Sequence, residues 1–135
     1  FSNYNSPKAV AFDTHDQISA LFFWSSINLQ IRLKAKIKKT SIAFNKKYFH
    51  NRSSEKNALA ISSNQSKVIS SYEEVMKKYE KAKTNKNLSN CPSYWGGFEF
   101  SPIYFEFWFG NDSRLNRRKI FELSNGRWKT FYLEP

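Results

Sequence analysis

The chain has 135 residues, room for one domain and little more. Hydrophobic residues make up 40% and aromatics 18%, from 13 Phe, 7 Tyr and 4 Trp, which excludes global disorder. Lys and Arg number 22 against 11 Asp and Glu, and the formal charge of +11 favours anionic partners: phosphate esters, nucleic acid or a membrane surface. A single cysteine, Cys91, excludes an internal disulfide framework and a multi-cysteine metal site, and fits a reducing, cytoplasmic compartment. No apolar run approaches bilayer-spanning length. The chain opens on Phe1, holds one Met at position 76 and lacks the basic and apolar regions of a signal peptide, so a piece of a longer reading frame is expected.

Residues 1 to 17 are polar around a short apolar knot, Ala9 to Phe12, and Ser6 followed by Pro7 predicts a short helix. Ile18 to Trp24 is continuously apolar and aromatic, the pattern of a strand buried on both faces. Leu29, Ile31, Leu33, Ala35 and Ile37 then alternate with Gln30, Arg32, Lys34, Lys36 and Lys38, predicting a strand with one wet side. Thr40 and Ser41 offer caps for a helix over 42 to 51, with Phe44, Tyr48 and Phe49 inward, and 54 to 63 form a weaker helical stretch. Ser71-Tyr72-Glu73-Glu74 predicts a capping box for a helix carrying Tyr72, Val75, Met76 and Tyr79 at helical spacing. The charge run from Lys77 to Lys86 reads as a solvated face, and 83 to 93 as a polar loop.

The last third predicts four strands, Trp95 to Ser101, Ile103 to Gly110, Arg118 to Leu123 and Arg127 to Leu133, with turns at Ser101-Pro102, Asn111-Asp112 and Asn125-Gly126. In the second of these, Phe105, Phe107 and Phe109 share one face and Tyr104, Glu106 and Trp108 the other. Six strands around a helical insert predict a mainly β fold with α insertions (α+β), a small antiparallel barrel with helices at its rim.

The four glycines, Gly96, Gly97, Gly110 and Gly126, cannot compose a phosphate-binding loop. Two histidines, His15 and His50, with one cysteine give little support to a zinc site or a cysteine–histidine dyad. Scattered cations, hydroxyls and aromatics remain, a set that suits a phosphorylated planar ligand.

Several segments together resemble the pyridoxamine 5'-phosphate oxidase family. They are Ser2-Asn3-Tyr4-Asn5-Ser6-Pro7-Lys8, Gln30, Tyr48-Phe49-His50-Asn51-Arg52, Gln65-Ser66, and Pro92 to Phe98. Phe105-Glu106-Phe107-Trp108, Arg114-Leu115, Arg118, Trp128 and the terminal Leu133-Glu134-Pro135 continue the pattern to the end of the chain. The resemblance implies an FMN-binding split barrel, Greek-key-like, over residues 1–135, dimerising through a C-terminal segment at about 92–135. It implies a homodimer with FMN at the interface, and oxidation of pyridoxine or pyridoxamine 5'-phosphate to pyridoxal 5'-phosphate with dioxygen as acceptor. Neither nucleic acid nor membrane is an implied partner. By position, FMN contacts fall on Ser2, Lys8, Gln30, Gln65, Ser66, Trp108 and Arg118, and substrate contacts on Tyr48, Arg52, Lys56, Arg114 and Asn116. Arg114 and Asn116 are the residues implied beside the reacting carbon.

Departures from the family pattern are specific. Pro7 stands where the family has Arg, Lys56 replaces a phosphate-binding serine, Asn116 a histidine and Arg117 an aspartate. Asparagine hydrogen-bonds but cannot titrate near neutrality. The family's cation-bearing strand Arg-x-Val-Leu-Leu-Lys is expected before Phe1. Without the resemblance, Trp108 reads as a core aromatic, Gln30 as a solvent-facing strand residue, and Arg52 as a solvated cation over a half-buried Tyr48. Three classes of function stay open at this point: the oxidase, a non-catalytic flavin- or pyridoxal-phosphate-binding protein of the same fold, and a basic barrel for single-stranded nucleic acid.

Overall fold

The alternation that begins at Leu29 becomes β3 (Leu29–Lys39) in the computed structural model, which describes residues 1–84 and 87–135. Before it come β1 (Ser2–Asn3), α1 (Pro7–Thr14) and β2 (Gln17–Trp24). After it come α2 (Ile42–His50), α3 (Ser54–Ser62), α4 (Tyr72–Lys83), β4 (Trp95–Gly96), β5 (Phe98–Phe109), β6 (Arg117–Ser124) and β7 (Arg127–Leu133). The result is mainly β with four helices, as expected. The chain forms two compact units, Phe1–His15 with Lys38–Glu99, and Asp16–Ile37 with Phe100–Pro135. Neither is continuous in sequence.

The second unit is built on a five-stranded sheet in the order β2-β3-β5-β6-β7. Leu29, Leu33, Ala35 and Ile37 of β3 are buried while Lys34, Lys36 and Lys38 are exposed, so the alternation sorts as period-two geometry requires. Ile120 of β6 is wholly buried, in register with Glu106 on β5 and Phe131 on β7. The β6–β7 hairpin turns on Asn125 and Gly126, both with positive φ (51° and 73°), the geometry that matches strand twist in a two-residue loop.

Two expectations fail here. β2 is not buried on both faces: Leu21, Phe22, Phe23 and Trp24 are each more than half exposed, on a strand whose sheet neighbour among the described residues is β3. Nor do Ser101-Pro102 break the chain into two strands. β5 runs through them, since proline costs a strand only the hydrogen bond that its missing N–H would have donated.

In the first unit, β1 and β4 pair antiparallel, Ser2 with Gly96 and Asn3 with Trp95. Ser41 Oγ accepts from Phe44 N at 3.2 Å and Ser53 Oγ from Lys56 N at 3.5 Å, capping α2 and α3. Pro7 opens α1 as expected, with Ser6 as its cap residue, but Ser6 Oγ lies 3.1 Å from Ser2 Oγ and does not cap through its side chain. The capping box at Ser71–Glu74 does not form. Glu74 bonds Lys78 and Ser70 instead. The loop expected over 83 to 93 is helix at Lys83 and turn or irregular structure beyond, with residues 85 and 86 outside the described part.

The inward face of α2 also differs from expectation. Asn45 and Phe49 are buried, whereas Phe44 and Tyr48 are 50% and 44% exposed. The reason is polar: Asn45 Oδ1 accepts from Thr40 Oγ1 at 2.6 Å and Gly97 N at 2.9 Å, and its Nδ2 donates to Tyr4 O–H at 3.1 Å. A Cβ on Gly96 would lie 2.1 Å from that tyrosine oxygen, so only glycine fits. Among the described residues, no helix is long and apolar enough to cross a membrane.

Removing this hub takes the Asn45 bond from Thr40 Oγ1, Gly97 N and Tyr4 O–H, the last of which keeps its bond to the Gly97 carbonyl. Asn45→Ala is expected to lower stability by about 2–4 kcal/mol, the range for leaving buried donors and acceptors unpaired, read as a reduced midpoint in urea unfolding. Phe44→Ala, on the exposed side of the same helix, should cost well under half as much.

Candidate functional site

In the first unit, a cavity of about 220 Å³ is lined by Asn3, Arg52, Lys56, Leu59, Ala60, Ser63, Gln65 and Trp95. Helix α2 ends at His50 and α3 begins at Ser54, which places Arg52 in the short connection and Lys56 in the first turn of α3. The Arg52 guanidinium stacks over the Trp95 ring, 4.6 Å from its centroid, and over Phe49 at 5.5 Å. Its Nη2 donates to the Lys56 carbonyl at 3.4 Å. Its Nη1 is buried and has no hydrogen-bond partner among the described residues. Tyr48 stacks on Phe1 with ring centroids 3.8 Å apart, and Phe1 in turn lies 5.0 Å from Trp95.

Ser2 and Gln65, both expected to contact a cofactor, bond each other: Gln65 Oε1 accepts from Ser2 Oγ at 3.1 Å and from Asn3 N at 2.9 Å. With its oxygen taken twice, Gln65 has its NH₂ left to offer. Ser66, next in the turn, has φ of 66° and is exposed. Lys8 is exposed on α1.

The second unit holds Gln30, Trp108, Arg118, Arg114 and Asn116. Trp108 and Arg118 stand opposite each other in the β5–β6 ladder. Arg118 Nε donates to Glu106 Oε1 at 2.7 Å, and Arg118 Nη1 to the Glu134 carbonyl at 3.1 Å. Tyr104 O–H donates to Glu106 Oε2 at 3.3 Å, and Arg32 Nη1 lies 3.7 Å from the same oxygen. Arg32 Nε donates to Gln30 Oε1 at 2.8 Å. Burial pushes the Glu106 carboxyl up, but its hydrogen bond from Arg118, the charges of Arg118 and Arg32 and the Tyr104 hydroxyl outweigh that and hold it below its ordinary 4.5. Burial, and then Glu106, push the Tyr104 hydroxyl up.

Arg114 and Asn116 lie in the loop between β5 and β6. Arg114 has φ of 66°, and its N–H donates to the Asn111 carbonyl at 2.9 Å. Asn116 Oδ1 accepts from Asn111 N at 3.0 Å, closing the loop. The asparagine therefore closes the loop through its oxygen, which fixes the orientation of its NH₂. Arg117 stacks on Phe109, 4.5 Å to the ring centroid.

Residue-level reading of the sequence assigned no role to Trp95, Asn3, Arg32 or Glu106. An acid in the aromatic run Phe105-Glu106-Phe107-Trp108 was the available signal, since a carboxylate there needs cationic partners from neighbouring strands.

Residues 95–135 match the family described as "Pyridoxine 5'-phosphate oxidase C-terminal dimerisation region". The whole chain is similar to the pyridoxine/pyridoxamine 5'-phosphate oxidase of Coxiella burnetii, 32% identical, over 69% of that protein. It is also 35% identical to pyridoxine/pyridoxamine 5'-phosphate oxidase 1 of Hydrogenovibrio crunogenus, spanning 64% of its length. Among solved structures, PhzG from Burkholderia lata in complex with tetrahydrophenazine-1-carboxylic acid superposes with a TM-score of 0.87 at 24% identity, over 99% of this chain and 66% of that one. A pyridoxamine 5'-phosphate oxidase-related, FMN binding protein from Nostoc punctiforme gives 0.68 at 9% identity, over 99% and 70%. These two likenesses establish the split-barrel fold.

The Glu106 network has a pH signature. A carboxylate whose native pKa is lowered contributes stability above its unfolded value near 4.5, and that contribution is lost as pH falls through the native value. Glu106→Gln is expected to destabilise at pH 7 by about 1–3 kcal/mol, with the gap to wild type closing as pH is lowered below the ordinary carboxylate range. Urea unfolding at a series of pH values reads this directly; a gap independent of pH would assign the loss to packing.

Proposed function

Since the chain belongs to the pyridoxine/pyridoxamine 5'-phosphate oxidase family, we propose that it oxidises pyridoxamine or pyridoxine 5'-phosphate to pyridoxal 5'-phosphate, using FMN and dioxygen, as a homodimer. The observation that carries this reading is Arg52. Its buried, unpartnered Nη1 faces the cost of an unmade charged hydrogen bond, and a phosphate oxygen relieves it. Lys56 lines the same cavity and adds a second cation, in the place where the family has serine. Trp95 holds the guanidinium plane from behind, so that the fork is oriented before ligand arrives. Tyr48 completes the substrate-phosphate set.

For the cofactor, Ser2, Lys8, Gln65 and Ser66 supply hydroxyl, ammonium and amide donors suited to a phosphate and ribityl chain. Gln30, Trp108 and Arg118 supply donors and an aromatic face suited to the ring. FMN, when bound, would supply the two-electron redox chemistry, with dioxygen as the final acceptor and, for the amine substrate, water entering and ammonia leaving. Arg114 and Asn116 flank the pyridine ring. Asn116 orients by hydrogen bonding and moves no proton, so proton transfer falls to water or the substrate amine. The dimer reading is supported by an open apolar groove of about 360 Å³ lined by Phe105, Phe107, Phe121 and Trp128, all inside the segment that matches the dimerisation family.

A second reading, a flavin- or pyridoxal-phosphate-binding protein without turnover, is favoured by asparagine at position 116, which carries no titratable group and bonds Asn111 N through its oxygen. Absorbance of the purified protein after addition of FMN separates the possibilities. One flavin per subunit with peroxide formed from pyridoxamine phosphate is the expected result; flavin without peroxide selects the second reading, and a protein that takes up no FMN sinks both.

Arg52→Ala is expected to raise KM for pyridoxamine phosphate by about tenfold or more at unchanged FMN occupancy, the loss of one charge-assisted hydrogen bond. Arg114→Ala should abolish peroxide formation while sparing FMN binding, measured by flavin fluorescence alongside the peroxide assay.

A further inference from the structure

Glu106 is 3% exposed and lies within the aromatic run from Tyr104 to Phe109. A carboxylate so placed must be paired or neutral, and it is paired on three sides: by Arg118 from β6, Tyr104 from its own strand and Arg32 from β3. Arg118 sits diagonally across the ladder from Glu106, two residues from its register partner Ile120, which lets Nε rather than the end of the fork meet the acid. Arg32 makes one further bond, from its Nε to Gln30 Oε1. One buried charge thus lies in the middle of a chain of contacts with Gln30 at one end and Arg118 at the other. These are two of the three side chains that the preceding reading assigns to the flavin ring.

We infer that Glu106 is a positioning residue for the flavin seat, acting on Arg118 directly and on Gln30 through Arg32. The consequence for recognition is chemical. Gln30 has its oxygen committed to Arg32, so it presents an NH₂ donor. Arg118 has Nε committed to Glu106 and Nη1 to the Glu134 carbonyl, so it presents Nη2, again a donor. Both ends of the chain therefore offer hydrogen-bond donors, and the bond from Arg32 fixes which end of the Gln30 amide is the donor. The seat therefore selects a ring edge rich in acceptors, such as the carbonyl oxygens of an isoalloxazine. With Gln30 freed from Arg32, its amide could turn and present oxygen to those carbonyls, which repels them.

The inference rests on the FMN reading above, and a double-mutant cycle on FMN affinity tests it separately, by quenching of flavin fluorescence in the purified protein. Arg32→Met removes the exposed link and leaves Glu106 its two closer partners, Arg118 and Tyr104. It is expected to raise the FMN Kd by about tenfold in the wild-type background and to leave it unchanged in a Gln30→Ala background, because the arginine acts through the glutamine. Glu106→Gln should raise Kd by at least as much and also raise the flavin midpoint potential, since a negative charge near the ring is lost and the reduced, anionic flavin is favoured. Should Glu106→Gln fail to fold, the Arg32 and Gln30 cycle stands alone. Equal effects of Arg32→Met with and without Gln30, or no effect in either, would overturn the positioning role while leaving FMN binding intact. Failure of the wild type to bind FMN overturns the cofactor reading and this inference with it.

Discussion

Buried polar atoms must be paired, and that one constraint organises both units of the chain. In a protein this rich in Phe, Tyr and Trp, each polar side chain taken inside is a commitment of several neighbours. Asn45 commits Thr40, Tyr4 and Gly97, and so ties the start of α2 to the strand pair at β1 and β4. Glu106 commits Arg118, Tyr104 and Arg32 across three strands. Against that background the exceptions are informative. Among the described residues two buried side-chain atoms lack partners, Asn57 Oδ1 and Arg52 Nη1, and the second lies on a cation at the wall of a cavity.

The departures from the family pattern are accommodated by the same logic. Pro7 loses a cation but supplies the first residue of α1, where a missing N–H costs nothing. Arg117 adds a charge where the family has an acid, and the aromatic face of Phe109 takes it up. Asn116 exchanges a titratable ring for an amide that closes its own loop. Each change alters local electrostatics without leaving an unpaired group in the interior.

What could be read from sequence follows the same division between local and non-local causes. The β3 alternation, the serine caps of α2 and α3, Pro7 at the start of α1 and the Asn125-Gly126 hairpin are local effects, and they were legible. Ile18 to Trp24 read as doubly buried because composition reports how apolar a strand is, whereas exposure depends on which elements pack over its faces. Ser101-Pro102 read as a turn because proline punctuates, yet a ladder tolerates it where no donor is needed. Phe44 and Tyr48 were expected inward on apolarity, and Asn45 displaced them because its three hydrogen bonds require burial. At the site, positions came from motif order, while Trp95, Arg32 and Glu106 acquired roles only through partners from other strands, which no periodicity encodes.

The interleaving of the two units bears on how the chain is made. Residues 1–15 belong with 38–99, and 16–37 with 100–135. Ser2 waits for Gly96 before β1 has a partner, and β3 waits for β5. Residues 1–15 and 16–37 are therefore synthesised before the later segments of the units they belong to, and the aromatic run from Leu21 to Trp24 is among them. Folding of this topology is dominated by distant contacts and is slow relative to helical chains of its size. During that interval Arg32, the register partner of Leu21, and the lysines alternating beyond it along β3 are charges that keep one nascent chain from pairing with another.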